Sequence, residues 1–545
     1  MSRRLVLAAA SVALVAACSA TGAPGDGDGA GSGTPVRGGT VVFATDVEPT
    51  CLDPAAPSQI ATQILQRNVY DSLIFQDAKG AFHPWLAKSW EISADGTTYT
   101  FNLRDDVTFH DGTKFDATAA KATFDHFVDP ATKAPLAGSL PFESATAAAP
   151  ATLVVKLKSP FAPFLQLASF SVLGIQSPAA LAKGQAALCA GGPNAVGTGP
   201  FTTAAYTKGQ SLTFARYDAY NWPPDGAAHQ GAAYLDKVEV RFLPENAIRV
   251  GAVSSGQAQL AANVPPVTAA AFEAGGGVRI LSAAAAGTPF TAYLNTKRAP
   301  FDDVKVRQAF QRGIDIENIV KSVYAGRFPR AWSPLTPSTP YSYDSSLEGS
   351  WAQDLNLANR LLDEAGWTQK DAQGYRVKDG KRLTVVWVQN STVMREQRDV
   401  VAQAIADNAK KLGFEVTLQG LDAGTFASRA RAGDYDITDQ SNQRADPDML
   451  FNVWSSKFLA TKGGANYANV DDPQVDGWLS QGLTALRQED RPAAYKPLQR
   501  WVIDNAAAVP IYVPQYLLGA SNSVQGVQFT VSGYPDSFYT VWRTK

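Results

Sequence analysis

Residues 383–388 form an apolar strand, 393–412 carry helical periodicity, and 414–418 return to an apolar strand. A strand, a helix and a strand in direct succession predict a right-handed crossover between parallel strands. That in turn demands an α/β sheet with helices on its faces, because parallel strands need both sides covered. Gly413, between the helix and the second strand, suits a helix C-cap. Upstream, Val306, Ala309, Phe310, Gly313 and Ile314 mark one face of a helix opened by Asp302 and Asp303. Arg307, one turn into that helix, reads as an ion-pair partner. Leu357, Leu361, Leu362 and Ala365 mark another helix, which Gly366 stops.

The part of the chain before about residue 295 is richer in β signals. Val41, Val42 and Phe43 read as an opening strand, and a helical stretch holds Ile60, Ile64, Leu65 and Tyr70. Between 88 and 116, Trp90 and Ile92 lead to the hairpin dipeptide Asp95-Gly96. Tyr99, Phe101 and Leu103 then alternate with polar residues, as a strand buried on one face does. Val107 and Phe109 repeat the pattern before Asp111-Gly112, and Asp116 is placed to cap a helix holding Ala119, Ala120, Phe124 and Phe127. His110 and His126 fall inside these patterns and read as packing residues.

Arg3 and Arg4 precede an apolar run from Leu5 to Ala17. Thirteen helical residues reach about 20 Å, short of the roughly 30 Å of a bilayer core, so the run reads as a secretory signal over 1–17. Leu14-Val15-Ala16-Ala17-Cys18 resembles the lipobox of bacterial lipoproteins, which implies lipidation of Cys18 and anchoring to a membrane. Residues 18–35 are almost wholly small or polar and read as a flexible tether. Two cysteines remain, Cys51 and Cys189. Outside the cytoplasm such a pair is expected to form a disulfide, two separate buried thiols being the alternative.

The chain has 545 residues, enough for three or four average domains. Its formal charge is −2, which excludes a global basic field for nucleic acid. With 4 His, no Gly-x-Ser-x-Gly elbow and no His-Glu-x-x-His, the chain lacks the usual apparatus of a hydrolase. Neighbouring acids such as Asp302-Asp303 read as helix starts rather than glycosidase pairs. No catalytic residue, metal site or resident cofactor is expected, and the absence of a Gly-x-x-x-x-Gly-Lys loop means that any ATPase is a separate chain.

Several segments, in order, are similar to the family 5 extracellular solute-binding proteins of bacterial ABC importers, the dipeptide and oligopeptide group. They include Leu86-Ala87-Lys88-Ser89-Trp90 through Asp111-Gly112, Tyr70-Asp71-Ser72-Leu73, Gly197-Thr198-Gly199-Pro200-Phe201, Pro300-Phe301-Asp302-Asp303-Val304 and Leu361-Leu362-Asp363-Glu364-Ala365-Gly366-Trp367. The resemblance implies an α/β fold of two lobes, of the class II periplasmic-binding-protein type, hinged about a ligand cleft. The first lobe would combine 36–290 with 515–545 and carry an extra subdomain at about 76–188, and the second would span 291–514. It further implies a monomer on the outer face of the cytoplasmic membrane, which captures a small molecule and hands it to an ABC permease. A di- or oligopeptide is the first expectation for the cargo. An oligosaccharide, another neutral polar solute or a metal chelate is the alternative within the fold, and a regulatory or scaffold lipoprotein the alternative outside transport.

In peptide-binding members an acidic residue three positions before an Asp/Glu-Pro pair meets the peptide's α-amino group. Counting back from Asp446-Pro447 places Gln443 there. An amide keeps an acceptor but supplies no countercharge, so Asp439, Asp446 or an acid from the other lobe would have to provide it. The cleft residues expected on this basis are Gln440, Ser441, Asn442, Gln443, Arg444 and Asp446, with Trp454 as a stacking surface, and Glu48, Ser58 and Gln59 on the first lobe.

Overall fold

The crossover that the sequence demands sits at one edge of a five-stranded sheet. In a computed structural model, which describes residues 33–56 and 63–544, strand Thr384–Asn390 lies parallel to Glu415–Leu421, and helix Arg398–Leu412 joins them. The first strand is apolar on both sides because both are covered. Val385 and Trp387 share a core with Val401, Ile405 and Ala409 of the helix, while Val388 packs on the other side with Phe426, Ala430 and Tyr435. Ile437–Gln440 adds a further parallel partner, and the antiparallel strands Phe290–Leu294 and Ala508–Tyr512 complete the sheet.

The helix is shorter than its periodicity suggests. Residues 391–393 form a single 3-10 turn, and Glu396 and Gln397 adopt left-handed backbone angles, φ 55° and 53°, before the helix begins at Arg398. Arg307 also departs from expectation. Instead of an acid, its guanidinium meets carbonyls, donating to Phe301 O at 2.7 Å and Asn505 O at 3.0 Å, so it ties a helix to a distant loop.

A second sheet of seven strands has the order 278–284, 515–521, 260–261, 40–45, 237–242, 211–216 and 201–207. Its centre is parallel, with Thr40–Thr45 between Lys237–Phe242 and Leu260–Ala261, and its edges are antiparallel, one a hairpin at 201–216 and the other the distant pair 278–284 and 515–521. The chain passes from this sheet to the five-stranded one between 284 and 290, and returns between 512 and 515. These two passages lie side by side, since the strands on either end of them pair within each sheet.

The alternating segment near residue 100 belongs to a separate four-stranded antiparallel sheet, in the order 87–92, 98–103, 152–157, 142–149. Trp90 pairs with Phe101 and Ile92 with Tyr99 around the Asp95-Gly96 turn. Tyr99, Phe101 and Leu103 are buried against Phe124 and Phe164, and Asp116 caps helix Ala117–Val128 by accepting from Ala119 N at 2.9 Å. Cys51 and Cys189 are bonded to each other across a separation of 138 residues. The helical stretch expected at 60–70 is helical at Gln63–Gln66 among the described residues. The signal segment, Cys18, Ser58 and Gln59 lie outside the described residues, and among those described no helix is long and apolar enough to cross a membrane.

Candidate functional site

The loop 441–448, which leaves strand Ile437–Gln440, is laid along the first passage between the sheets. Asn442 N donates to Thr288 Oγ1 and Thr288 N to Asn442 O, both at 2.8 Å, and Arg444 N donates to Ala286 O at 3.0 Å. Gly287 makes this possible. A Cβ there would stand 2.3 Å from Asn442 O, and its φ of 115° is closed to other residues. So fixed, Gln443 points away from its own sheet. Its Oε1 accepts a hydrogen bond from the Tyr534 hydroxyl, on the C-terminal segment that follows the second passage. Tyr534 is braced edge-on by Tyr516 of the seven-stranded sheet, at 5.2 Å between ring centres.

Beneath this contact is a small open cavity, with Gln63, Arg67, Gln76, Ser171, Ser532, Tyr534 and Asp536 among its walls. A second small cavity shares Phe170 with the first and has Leu136, Phe161, Pro163 and Leu167 among its walls. Arg444 and Asp448, from the loop on the opposite sheet, close its polar end. The two bodies also meet outside the cavities: Ala162 N donates to Leu483 O at 2.7 Å and Gln488 Nε2 to Gly80 O at 3.0 Å. At the Asp95-Gly96 turn, a Cβ on Gly96 would stand 2.6 Å from Leu486.

The charges around the site are paired unevenly. Asp446 is gripped by Arg491 through two bonds of 2.6 Å, and although burial alone would raise its pKa, Arg491 holds it below the ordinary value. Asp448, paired with Arg444 at 2.6 Å, is pushed up to about 7 by burial and by the neighbouring Asp446 charge. Ser441 Oγ accepts from Arg398 at 2.7 Å. Burial alone would lower the Arg398 pKa, but Tyr512, Glu396 and Asp439 together raise it. On the facing wall, Arg67 donates to Ser72 Oγ at 2.8 Å and Ser169 O at 2.6 Å, and approaches Asp536 only at 3.7 Å. Burial raises the Asp536 pKa and Arg67 only partly opposes it.

Of the residues expected from sequence, Gln443 and Arg444 reach across to the facing body, and Ser441 and Asn442 hold their loop in place. Gln440 is occupied with Ala465 O at 3.2 Å. Glu48 is drawn to the 201–216 hairpin, accepting from Tyr206 and Gly209 N at 2.7 Å each, and lines neither cavity. Two expectations need correction. Asp446 has both oxygens on Arg491, so it is a structural anion rather than a ligand contact. Trp454 is 1% exposed in a core with Tyr293 and Leu450, which leaves no face for stacking. Asp439 is likewise engaged, by Trp387 at 2.7 Å and Gln389 at 2.8 Å. Sequence reasoning missed Arg67, Ser532, Tyr534 and Asp536. Their one local signal is the turn at Gly533 (φ 81°), which says nothing of what faces it.

Asp71 supports Arg67 from below and provides a pH test. It is fully buried, its Oδ2 accepts from Thr198 at 3.0 Å and Trp222 at 3.2 Å, and burial pushes its pKa up to about 7. A carboxyl whose pKa rises on folding contributes stability below its ordinary pKa near 4, and that contribution is lost as pH rises through 7. Asp71→Asn keeps the acceptor without the charge. It is therefore expected to gain on the parent by about 2–4 kcal/mol between pH 5 and pH 8. Urea midpoints at both pH values measure this, and a constant difference contradicts it.

A profile of the bacterial extracellular solute-binding proteins, family 5 Middle, matches residues 81–463. The glutathione-binding protein GsiB of Escherichia coli K12 is 25% identical over 501 residues, covering 89% of this chain and 91% of its own. Among solved structures, NikA of Brucella suis in complex with Fe(III)-EDTA superposes with a TM-score of 0.79 at 25% identity, over 93% of this chain and all of its own. DppA of Helicobacter pylori in complex with the peptide STSA gives a TM-score of 0.73 at 24% identity, covering 94% and 99%.

Proposed function

This chain belongs to the bacterial extracellular solute-binding proteins of family 5, and on that premise we propose that it is a lipid-anchored receptor which closes on a di- or oligopeptide and delivers it to an ABC permease. The lobes proposed are 36–290 with 515–545, carrying the subdomain at 76–188, and 291–514, hinged where the chain passes between the sheets. The observation that carries the reading is the hydrogen bond from Tyr534 to Gln443. It joins a segment carried by the seven-stranded sheet to a loop carried by the five-stranded one, beside a cavity in the first body and close to a second that residues of both bodies line. A hinge of this kind needs no chemistry, because solute contacts made only in the closed state shift the population. Cys18 supplies the anchor in this reading, and Cys18→Ala should release the protein from the membrane fraction.

A neutral solute is the second reading, favoured by the amide at Gln443, which brings no countercharge for an ammonium. Native mass spectrometry of the mature body, purified from cells without refolding, separates the two. A retained peptide mass is expected. A retained glycan or chelate with no peptide overturns the peptide reading. Stabilisation of the fold by an added solute, expected to reach about 2.7 kcal/mol at one hundred times the dissociation constant, would exclude a scaffold lipoprotein.

A further inference from the structure

Asp536 is the least satisfied acid on the walls of the cleft. It is one-fifth exposed, no described residue donates a hydrogen bond to it, and the nearest described cation, Arg67, stays 3.7 Å away with its other nitrogens committed to Ser72 and Ser169. Two residues before it, Ser532 is 3% exposed on the same wall, and its hydroxyl has no partner among the described residues. A half-buried carboxylate and a buried hydroxyl left in this state call for a donor carrying charge. The adjoining cavity makes the opposite demand, being walled by Leu136, Phe161, Pro163 and Leu167. Phe170 lines both, so the two spaces are neighbours.

We propose that the cleft selects an amine-bearing solute with an apolar arm, the protonated amine on Asp536 and Ser532 of the first lobe and the arm in the cavity between Leu136 and Leu167. This rests on the solute-receptor reading and deepens it. The countercharge missing at Gln443 is supplied from the facing lobe, and Gln443 serves to hold Tyr534 across the mouth. A carboxylate ligand at Arg67 is disfavoured, since both terminal nitrogens are engaged and the guanidinium lies over the Trp85 ring at 5.0 Å.

The test measures binding to the full mature chain by calorimetry with Leu-Phe, N-acetyl-Leu-Phe, Gly-Gly and maltotriose. Leu-Phe should bind at least about tenfold more tightly than either its acetylated form, which lacks the charge, or Gly-Gly, which lacks the arm. Asp536→Asn should weaken Leu-Phe by about tenfold or more and abolish its advantage over the acetylated form. Leu167→Ala should weaken Leu-Phe by a larger factor than it weakens Gly-Gly. Equal binding of free and acetylated peptide, tighter binding of maltotriose, or no binding of Leu-Phe overturns the proposal. In each of those cases a different solute retained in native mass spectrometry keeps the receptor reading, whereas no retained solute and no binding of any probe removes both. Circular dichroism of Asp536→Asn, expected to match the parent, separates lost recognition from lost folding.

Discussion

Arg491→Met is expected to destabilise the protein by about 3–5 kcal/mol, because it leaves the Asp446 carboxylate buried without its partner. The pair is bidentate, both side chains are about 5% exposed, and Asp448 stands beside them with its own raised pKa. Asp446 also receives the Asp448 backbone N–H at 2.8 Å, so the pair fixes the end of the loop that carries Gln443 and Arg444. The companion variant Asp446→Leu with Arg491→Met should recover most of the loss, since replacing a whole buried pair by apolar groups costs far less than breaking it. The sign with pH follows from the depressed Asp446 pKa. The stabilisation is present above the ordinary carboxyl range and fades as pH falls below it, so the gap between parent and Arg491→Met should narrow from pH 7 to about pH 2. Urea unfolding of the three proteins at both pH values reads this out. A single variant within 1 kcal/mol of the parent at pH 7 would contradict it.

Arg398→Met should cost a comparable amount, about 3 kcal/mol or more, and should also weaken solute binding by about tenfold. Arg398 is 4% exposed and touches both passages between the sheets. Its guanidinium lies over Phe290 at 4.6 Å, at the end of one passage, and donates to the Tyr512 hydroxyl at 3.2 Å, at the start of the other. The same group donates to Ser441 Oγ in the cleft loop and pairs with Glu396 at 3.1 Å. Glu396 and Gln397 hold left-handed backbone angles that cost roughly 1–2 kcal/mol each for residues with a Cβ. The Glu396 side chain is kept in place by Arg398 and by Tyr512 at 2.7 Å, and its carbonyl by Tyr324 at 2.6 Å. Arg398→Lys should recover less than half of either loss, because one ammonium cannot span Tyr512 and Ser441 as a planar fork does. Thermal midpoints and calorimetry with a bound peptide test both parts. Full rescue by lysine would show that charge alone matters there.

The features that could be read from the chain were those whose cause is local. Tyr99, Phe101 and Leu103 alternate because one face of their strand is buried, and Asp116 caps because its own side chain reaches Ala119 N. The run at 383–388 announced a strand covered on both faces, and the order of segments announced the family. The cleft was legible only where its residues are contiguous, in the loop around Gln443. Trp454 was misjudged because burial in a core and exposure in a cleft leave the same mark on a sequence. Asp446 was misjudged because its partner lies 45 positions away.

The sequence by itself determined the α/β class, the crossover at 383–418 and the family, since each follows from periodicity, turn chemistry or segment order. Tertiary structure alone decided which distant side chains come together around the cleft. Gln443 meets Tyr534 from 91 positions away, and Arg67 meets Asp536 from the opposite end of the chain, because two passages between the sheets bring distant segments onto one wall. Side-chain period reports which face of an element is buried, but not what it is buried against. That depends on how the sheets are connected, and here the connection brings Arg67 and Asp536, far apart in the chain, to the wall of one cavity.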